Sequence, residues 1–371
     1  MINIIILKKK WSDCMKKILI FGYNMDIGGA ENAMLSVINA LKDKCEIDLI
    51  LLEKKGPLLK KIPKEVNVRE IKTNLLKYAL FRYFPPFRKY IVNKMANKNY
   101  DYAVAYMEGR AATFVADLKQ DCKKIAWIHN DVNSFDIGIS KKEIIDSYSK
   151  MDTIVAVSNV SKNSFCQKYA FSTDKVKVVY NLIDEENIIK QANEFTPKKS
   201  KFTFVNVSRM RKQKRHDRLL NIAKRLKNDK FDFVIWLIGN GPLEKEILDK
   251  IKTDHLEDYV KALGLKENPY PYIKAADYFV MSSDHEGYPL VLLESLLLKT
   301  KVISTNVSGA SEILKDKYGY IVDINEDALY EKMKEILMGH DKNDFDKNLK
   351  EYSGNNIYII KDLLNLFDLK N

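Results

Sequence analysis

The chain is 371 residues long, beyond the roughly 100–200 of an ordinary domain, so about two domains are expected. It is 46% hydrophobic and 11% aromatic, enough apolar side chain for a sizeable core, which excludes a disordered, collagen-like or low-complexity chain. Lys+Arg 62 against Asp+Glu 50 gives a net charge of +12, a surplus that favours anionic partners without naming them.

The first residues, MINIIILKKKWSDC, place an apolar block before the charges and lack a small-residue cleavage site, so they do not read as a secretory signal. Met15-Lys16-Lys17-Ile18 is the more natural beginning, with residues 1–14 an extension. The richest apolar run, Leu290 to Leu298, contains Glu294 and is shorter than the roughly 18–20 residues of a membrane span. Cys14, Cys45, Cys122 and Cys166 are scattered with no C-x-x-C, which predicts packed thiols and a reducing cytoplasm.

From Met15 onward, short β-rich runs alternate with helix-length segments. ILIFGY (18–23) precedes AENAMLSVINALK (30–42), then come EIDLILL (46–52), DYAVAY (101–106), KIAWIH (124–129), TIVAVS (153–158) and VKVVYN (176–181). After the polar stretch 185–201 the alternation restarts with FTFVNVS (202–208), a helix over about 216–228 and FVIWLIGNG (233–241). A helix from Leu243, VKALG (260–264), YFVMSS (278–283), a helix from Pro289 and KVISTN (301–306) follow. Continuous Val/Ile/Leu-rich strands, instead of apolar/polar alternation, predict parallel sheets covered on both faces. Two α/β domains are therefore expected, 1–190 and 191–355, joined by a polar linker near Glu185–Ser200, with a helical tail after about Asn356 that packs back on the first.

In such sheets ligands bind beyond the carboxyl ends of the strands. The loop GYNMDIGGAEN (22–32) ends in Gly28-Gly29 before a helix, a place where backbone N–H groups can approach an anion, though a plain turn fits equally. It lacks G-x-G-x-x-G, which argues against a nicotinamide cofactor. FVNVSRMRKQKRHDRLL (204–220) runs from a strand into closely spaced cations; Arg209 and Lys214 stand where a fork and a point charge could hold a diphosphate, the alternative being a solvated basic surface. In SSDHEGYPLVLLES (282–295), Glu286 lies in the loop, Pro289 at the first helical position, and Glu294 in the second turn of an apolar helix. A carboxylate there needs a partner, either a salt bridge or the two hydroxyls of a ribose.

The E-x7-E pair Glu286…Glu294, the basic loop SRMRKQKRHD, IGNGPLEKEI (238–247), the ALG turn (262–264) and KAADYFVMSS (274–283) resemble the donor-binding half of family 4 retaining glycosyltransferases. GGAEN, the IHN of 128–130, AVSNVSKNSF (156–165) and VVYNLID (178–184) follow in that family's order. The resemblance spans about residues 16–320. It implies a GT-B fold, two Rossmann-like domains with parallel sheets facing across a cleft. It also implies transfer of a sugar from a nucleotide diphosphate sugar, a UDP-sugar, to a glycan or lipid-linked acceptor in cell-surface polysaccharide biosynthesis, with no metal or other cofactor.

Carried over residue by residue, Arg209 and Lys214 match the cations that neutralise the leaving diphosphate, and fixed cations stabilise such developing charge well. Glu286 matches the carboxylate near the transferred sugar and Glu294 the ribose ligand. Gly287, Tyr288 and Leu290 would offer backbone amides, and Leu265 would border the base. Gly28 and Gly29 match a loop closing over the phosphates, and His129 a histidine near the reacting face of the sugar, a structural histidine being the alternative. Ser208-Arg209-Met210 replaces the usual Gly-Arg-Leu, and Arg215 stands where glycine often follows the lysine.

Glu108, in AYMEGRAA (105–112), ends a strand and reads either as an acceptor contact or as a surface carboxylate. The histidines lack H-x-x-x-H spacing, so no metal site is expected, and Asp344-Phe345-Asp346 lies in a Lys/Asn/Asp-rich stretch and reads as a solvated face. Leu75–Lys98 carries six cations, no acid and interleaved aromatics. This suits an anionic membrane surface, and hence a cytoplasmic protein peripheral on the membrane; a single-strand nucleic-acid groove is the weaker reading. Sequence-specific nucleic-acid binding lacks a motif. Competing functions are a GT-B epimerase or phosphorylase, and a non-catalytic partner subunit.

Overall fold

The computed structural model describes residues 15–71, 81, 84–133, 137–315, 317–341, 345–354 and 356–370. The extension 1–14, Asp344 and most of residues 72–83 lie outside them.

In the first half, β1 (Lys16–Gly22), α1 (Gly29–Leu41), β2 (Cys45–Leu51), β3 (Asn67–Glu70), α2 (Pro85–Met95) and β4 (Tyr102–Ala105) follow one another. They continue into α3 (Arg110–Ala116), β5 (Lys123–Ile128), α4 (Lys141–Tyr148), β6 (Thr153–Ala156), α5 (Asn159–Tyr169) and β7 (Val176–Val178). The second half has α6 (Glu185–Ala192), β8 (Phe202–Val207), α7 (His216–Asn228), β9 (Phe233–Ile238), α8 (Glu244–Thr253), β10 (Val260–Gly264), α9 (Tyr270–Ala275) and β11 (Tyr278–Met281). It closes with α10 (Leu290–Leu297), β12 (Lys301–Thr305), α11 (Ala310–Leu314), β13 (Gly319–Val322), α12 (Glu326–Leu337) and α13 (Phe345–Glu351), before a last helix, α14 (Asn356–Leu366).

The strands form two sheets, ordered β3-β2-β1-β4-β5-β6-β7 and β10-β9-β8-β11-β12-β13, and every pairing is parallel. Parallel strands buried on both faces need apolar residues throughout, and Ile18 to Phe21 and Phe233 to Ile238 supply them without a polar break. Each buried aliphatic or aromatic side chain contributes about 1.5–3 kcal/mol as an upper bound, so these strands anchor the cores. One core gathers Phe21, Phe114, Ile128 and Phe165, the other Phe204, Leu219, Ile235 and Val280.

The chain divides into two compact units, Met1–Leu182 with Asn356–Asn371, and Ile183–Asn355. The boundary thus falls at Leu182/Ile183, not 190/191, because the first half of the stretch read as linker, Glu185–Ala192, folds into α6. Asp184 caps it by accepting from the Asn187 N–H, Ile188 and Ala192 are buried, and Asn268 Nδ2 donates to Gln191 O at 2.9 Å. With only two buried positions, so short a helix shows little periodicity in sequence. β3 and β13 also escape the sequence reading, being four residues long and half-buried at their sheets' edges. α14 packs on the first unit: the Phe367 ring meets Tyr102 edge-on at 5.1 Å, and Tyr102 Oη donates to Asp368 at 2.7 Å.

In each sheet the strand order reverses once, between β1 and β4 and between β8 and β11. Loops leaving those strands diverge to opposite faces and open a crevice at their carboxyl ends, the expected position for a ligand.

Candidate active site

In the second unit the reversal point is flanked by residues 208–215, after β8, and 282–289, after β11. Lys214 Nζ lies 2.5 Å from Glu286 Oε1, and Ser283 Oγ donates to the same oxygen at 2.6 Å. The backbones are joined as well. Asp284 N donates to Gln213 O at 2.9 Å, Ser282 Oγ to Lys214 O at 2.8 Å, and Gln213 Nε2 to His285 O at 3.1 Å. Glu286 keeps 10% of its side chain exposed and Lys214 22%, so the pair is shielded yet reachable.

Arg215 adopts φ +53°, the left-handed region, which costs a residue with a Cβ about 1–2 kcal/mol and which glycine takes freely. An arginine here meets a backbone requirement that a glycine would satisfy without strain. Its guanidinium reaches Asp217 through Nε at 3.0 Å and Asp284 through Nη1 at 3.1 and 3.2 Å. Those carboxylates hold the arginine pKa above its ordinary value.

Behind the basic loop, His216 is buried, and burial followed by the nearby Lys214 charge pushes its pKa down to about 4. Ser208 Oγ donates to Asn206 Oδ1 at 2.8 Å and so accepts from His216 Nε2 at 3.1 Å, while Asn206 Nδ2 donates to Val280 O at 2.8 Å. The neutral imidazole therefore ends a directed relay that fixes where Arg209 begins. The adjoining IGNG loop is held to it by Met210 N donating to Asn240 O at 2.8 Å. A Cβ on Gly239, φ +136°, would meet Ser208 O at 2.1 Å.

Pro289 proves to be the N-cap of α10, with ψ 103°, and not its first helical residue, so the amides aimed forward begin at Leu290. Gly287, Tyr288 and Leu290 are buried around this turn. Gly309, φ +77°, backs it: a Cβ there would stand 2.5 Å from Gly287 O. On α10, Glu294 sits beside Val291 on the only half-buried stripe of the helix. Part of its surface is open while protein crowds the carboxyl, and this burial pushes its pKa up to about 7, opposed by a hydrogen bond from Tyr270. That bond is long, 3.4 Å from Tyr270 Oη to Glu294 Oε1, and no salt bridge satisfies the carboxylate among the described residues. Leu265 is 49% exposed just past β10.

In the first unit the reversal point is bordered by the loop after β1 and by residues 106–109 after β4. Tyr23 Oη bridges them, donating to Glu108 O at 2.5 Å and accepting from Arg110 N at 3.0 Å, and burial lifts its pKa to about 12. Gly28 is extended, φ −158°, and caps α1 with no side-chain bond, while a Cβ on Gly29 would meet nothing within 4 Å. Glu108 is not on the surface. It is 6% exposed, and Oε1 accepts from His129 N at 2.5 Å, Asn130 N at 2.8 Å and Asn130 Nδ2 at 3.1 Å. A carboxylate at a strand end does not reveal in sequence that a neighbouring loop's amides will converge on it. His129 is buried against the Tyr106 ring at 4.9 Å, Nε2 donates to Tyr106 O at 2.7 Å, and Nδ1 has no hydrogen-bond partner among the described residues.

Sequence reasoning did not single out Ser283, Asp284, Tyr270 or Gly309. A serine and an aspartate beside Glu286 carried no spacing signal, and the role of Gly309 depends on a contact with a distant loop. Among the described residues no group of three His, Cys, Asp or Glu is arranged to hold a metal ion. Of the D-x-D string, Asp346 pairs with Lys301 at 3.2 Å.

The family model for Glycosyltransferase Family 4 matches residues 27–187, and that for Glycosyl transferases group 1 matches residues 187–355. A Campylobacter jejuni protein, N-acetylgalactosamine-N,N'-diacetylbacillosaminyl-diphospho-undecaprenol 4-alpha-N-acetylgalactosaminyltransferase, is 30% identical over 342 residues, covering 87% of this chain and 90% of its own. The amylovoran biosynthesis glycosyltransferase AmsD of Erwinia amylovora is 24% identical over 320 residues, 85% of this chain and 88% of its own. The crystal structure of Anabaena Alr3699/HepE in complex with UDP and glucose superposes with a TM-score of 0.76 at 17% identity, over 95% of this chain and 99% of that one. The chain belongs to the family 4 glycosyltransferases, and its two parallel-sheet Rossmann-like units are those of the GT-B fold.

Proposed function

We propose that this glycosyltransferase moves a sugar from a UDP-sugar to a glycan or lipid-linked acceptor in cell-surface polysaccharide synthesis, with retention of anomeric configuration. The observation that carries the reading is the Lys214–Glu286 pair at the strand-order reversal, next to the Arg209 loop and the N-terminus of α10. A diphosphate meets there two cations and a positive helix end, the environment that best stabilises a leaving phosphate. Glu286, freed from Lys214, faces the sugar. Glu294 accepts the ribose hydroxyls, which supply the hydrogen bonds that its long contact with Tyr270 lacks. Gly287, Tyr288 and Leu290 surround the phosphates and Leu265 the base.

The bond from the anomeric carbon to the β-phosphate oxygen breaks as the acceptor oxygen bonds to the same face, and the acceptor proton passes to the departing phosphate. No protein base is needed for that step. In the first unit we assign sugar handling to Gly28, to Gly29, where a Cβ would meet nothing within 4 Å, and to His129, whose Nδ1 can pair with a hydroxyl. The name of the Campylobacter relative, a transferase acting on a diphospho-undecaprenol-linked sugar, supports a lipid-linked acceptor, and HepE, with UDP and glucose bound, supports the UDP donor.

No helix among the described residues is long and apolar enough to cross a membrane. The described part of 75–98 supports peripheral binding through one face of α2, where Phe84, Lys89, Tyr90 and Lys94 are exposed and Lys94 Nζ lies 6.0 Å over the Tyr90 ring. Arg88 does not belong to that face: it is buried and bonded to Asp117 at 2.7 Å. Lys98 is engaged with Glu46 at 2.5 Å.

The decisive experiment is a melting-temperature screen of nucleoside diphosphates and their sugars, followed by mass spectrometry and anomeric NMR of product from a polyprenyl-diphosphate glycan. UDP compounds are expected to raise the melting temperature, since ligand at about 100 times its Kd adds about 2.7 kcal/mol. Absence of a shift with every nucleoside diphosphate, or a product of inverted configuration, overturns the reading.

A further inference from the structure

The residues proposed to meet the diphosphate and the sugar lie on two separate loops, and apart from the single bonds from Ser282 Oγ to Lys214 O and from Gln213 Nε2 to His285 O, the ion pair that joins them is made by groups that a substrate must engage. Lys214 cannot hold Glu286 and a phosphate with the same geometry. When the donor draws the ammonium away, that cross-loop ion pair loosens at the moment when the spacing of the two loops matters most.

A second cross-loop bond set lies one residue further on and involves neither group. Asp284, the second residue before Glu286, accepts from Arg215 Nη1 through both carboxylate oxygens, at 3.2 and 3.1 Å, and from Arg218 Nη2 at 2.9 Å. Arg218 is 4% exposed and also donates from Nη1 to Ser282 O at 2.6 Å. Arg215 is tied on its other side to Asp217, in the first turn of α7, at 3.0 Å. One guanidinium therefore bridges the start of α7 to the loop after β11, in a left-handed backbone conformation that a glycine would adopt more cheaply. An arginine stands where the backbone disfavours it, and its side chain makes a contact to the opposite loop.

We propose that Arg215 and Asp284 form a positioning staple that fixes the spacing of Lys214 and Glu286 whether Lys214 is held by Glu286 or by the donor. The inference rests on the donor reading above for the identity of the anion, but the staple itself is a property of the free protein. Arg215→Gly removes the staple and relieves the left-handed conformation, so the fold is retained. Asp284→Asn keeps the shape and removes the charge.

Two measurements separate this proposal from the donor reading. Amide hydrogen exchange of the free protein should accelerate at least tenfold in both 209–215 and 282–287 in Arg215→Gly, with the melting temperature within a few degrees of the parent. Unchanged exchange in either loop overturns the staple, whatever the enzyme binds. With a UDP-sugar, Arg215→Gly and Asp284→Asn should each lower kcat about tenfold or more while donor KM changes less than about threefold. The double variant should be no worse than the poorer single one, and Arg215→Lys should restore part of the loss. Parent-like turnover in Arg215→Gly, or effects that multiply in the double variant, overturns it. If exchange accelerates as stated while the parent binds no nucleoside diphosphate, the donor reading fails and the staple stands.

Discussion

Lys214 Nζ lies 2.5 Å from Glu286 Oε1, and the two residues belong to loops that follow different strands of one parallel sheet. In the donor site proposed above, a phosphate oxygen would replace the carboxylate beside an ammonium that is already held in position. Lys214→Ala is expected to lower turnover about a hundred- to a thousand-fold. Its melting temperature should fall only modestly, since Glu286 loses the ammonium of a shielded pair but keeps the hydrogen bond from Ser283. Steady-state kinetics with a thermal melt checks both, and parent-like turnover removes Lys214 from the mechanism.

Glu294 gives a pH signature. Its native pKa near 7, against an ordinary 4.5, means that the folded state binds the proton more tightly. The stability this lends is whole below about pH 4.5 and lost as pH rises through 7, an effect of roughly 3 kcal/mol at most. Melting temperature should fall more between about pH 5 and pH 8 in the parent than in Glu294→Gln. Ribose hydroxyls favour the ionised form, so UDP binding should release a proton near pH 6–7, measured by calorimetry in buffers of different ionisation enthalpy. Equal proton release in Glu294→Gln would assign it to another group.

At Glu108, removal of the carboxylate strands the His129 and Asn130 amides in a buried site. Glu108→Ala should cost about 2–4 kcal/mol in a urea titration, and Glu108→Gln, which keeps an acceptor oxygen, clearly less. A raised acceptor KM with unchanged stability would instead mark it as a substrate contact.

Gly309→Ala places a Cβ 2.5 Å from Gly287 O at a φ of +77°. The strain should cost about 1–3 kcal/mol and push the Gly287–Tyr288 turn forward, so turnover should fall further than stability alone explains. Intact kinetics in a destabilised variant would confine Gly309 to packing.

Flotation with vesicles containing acidic lipid tests the exposed face of α2. The parent should float at low salt, and Lys89→Glu with Tyr90→Ala should remain in the soluble fraction. Equal flotation of both would move the contact elsewhere.

The alternation of strands and helices was legible because fully buried parallel strands must be apolar throughout, as Phe233 to Ile238 are. The cation loop and the Glu286…Glu294 spacing were legible because loop and helix residues near each other in sequence stay near each other in space. What escaped depends on contacts between distant segments. Glu108 was half misread because its three donors come from a neighbouring strand's loop, and Tyr270 meets Glu294 only after α9 and α10 pack. The α6 helix was read as linker since its apolar face is two residues wide.

The return of α14 to the first unit has a consequence for biosynthesis. The second unit, Ile183–Asn355, is continuous in sequence and can complete its fold without any residue of α14. The first unit leaves the exit tunnel earlier, yet Tyr102 waits for Phe367 and Asp368 to cover it, so the half made first is finished last.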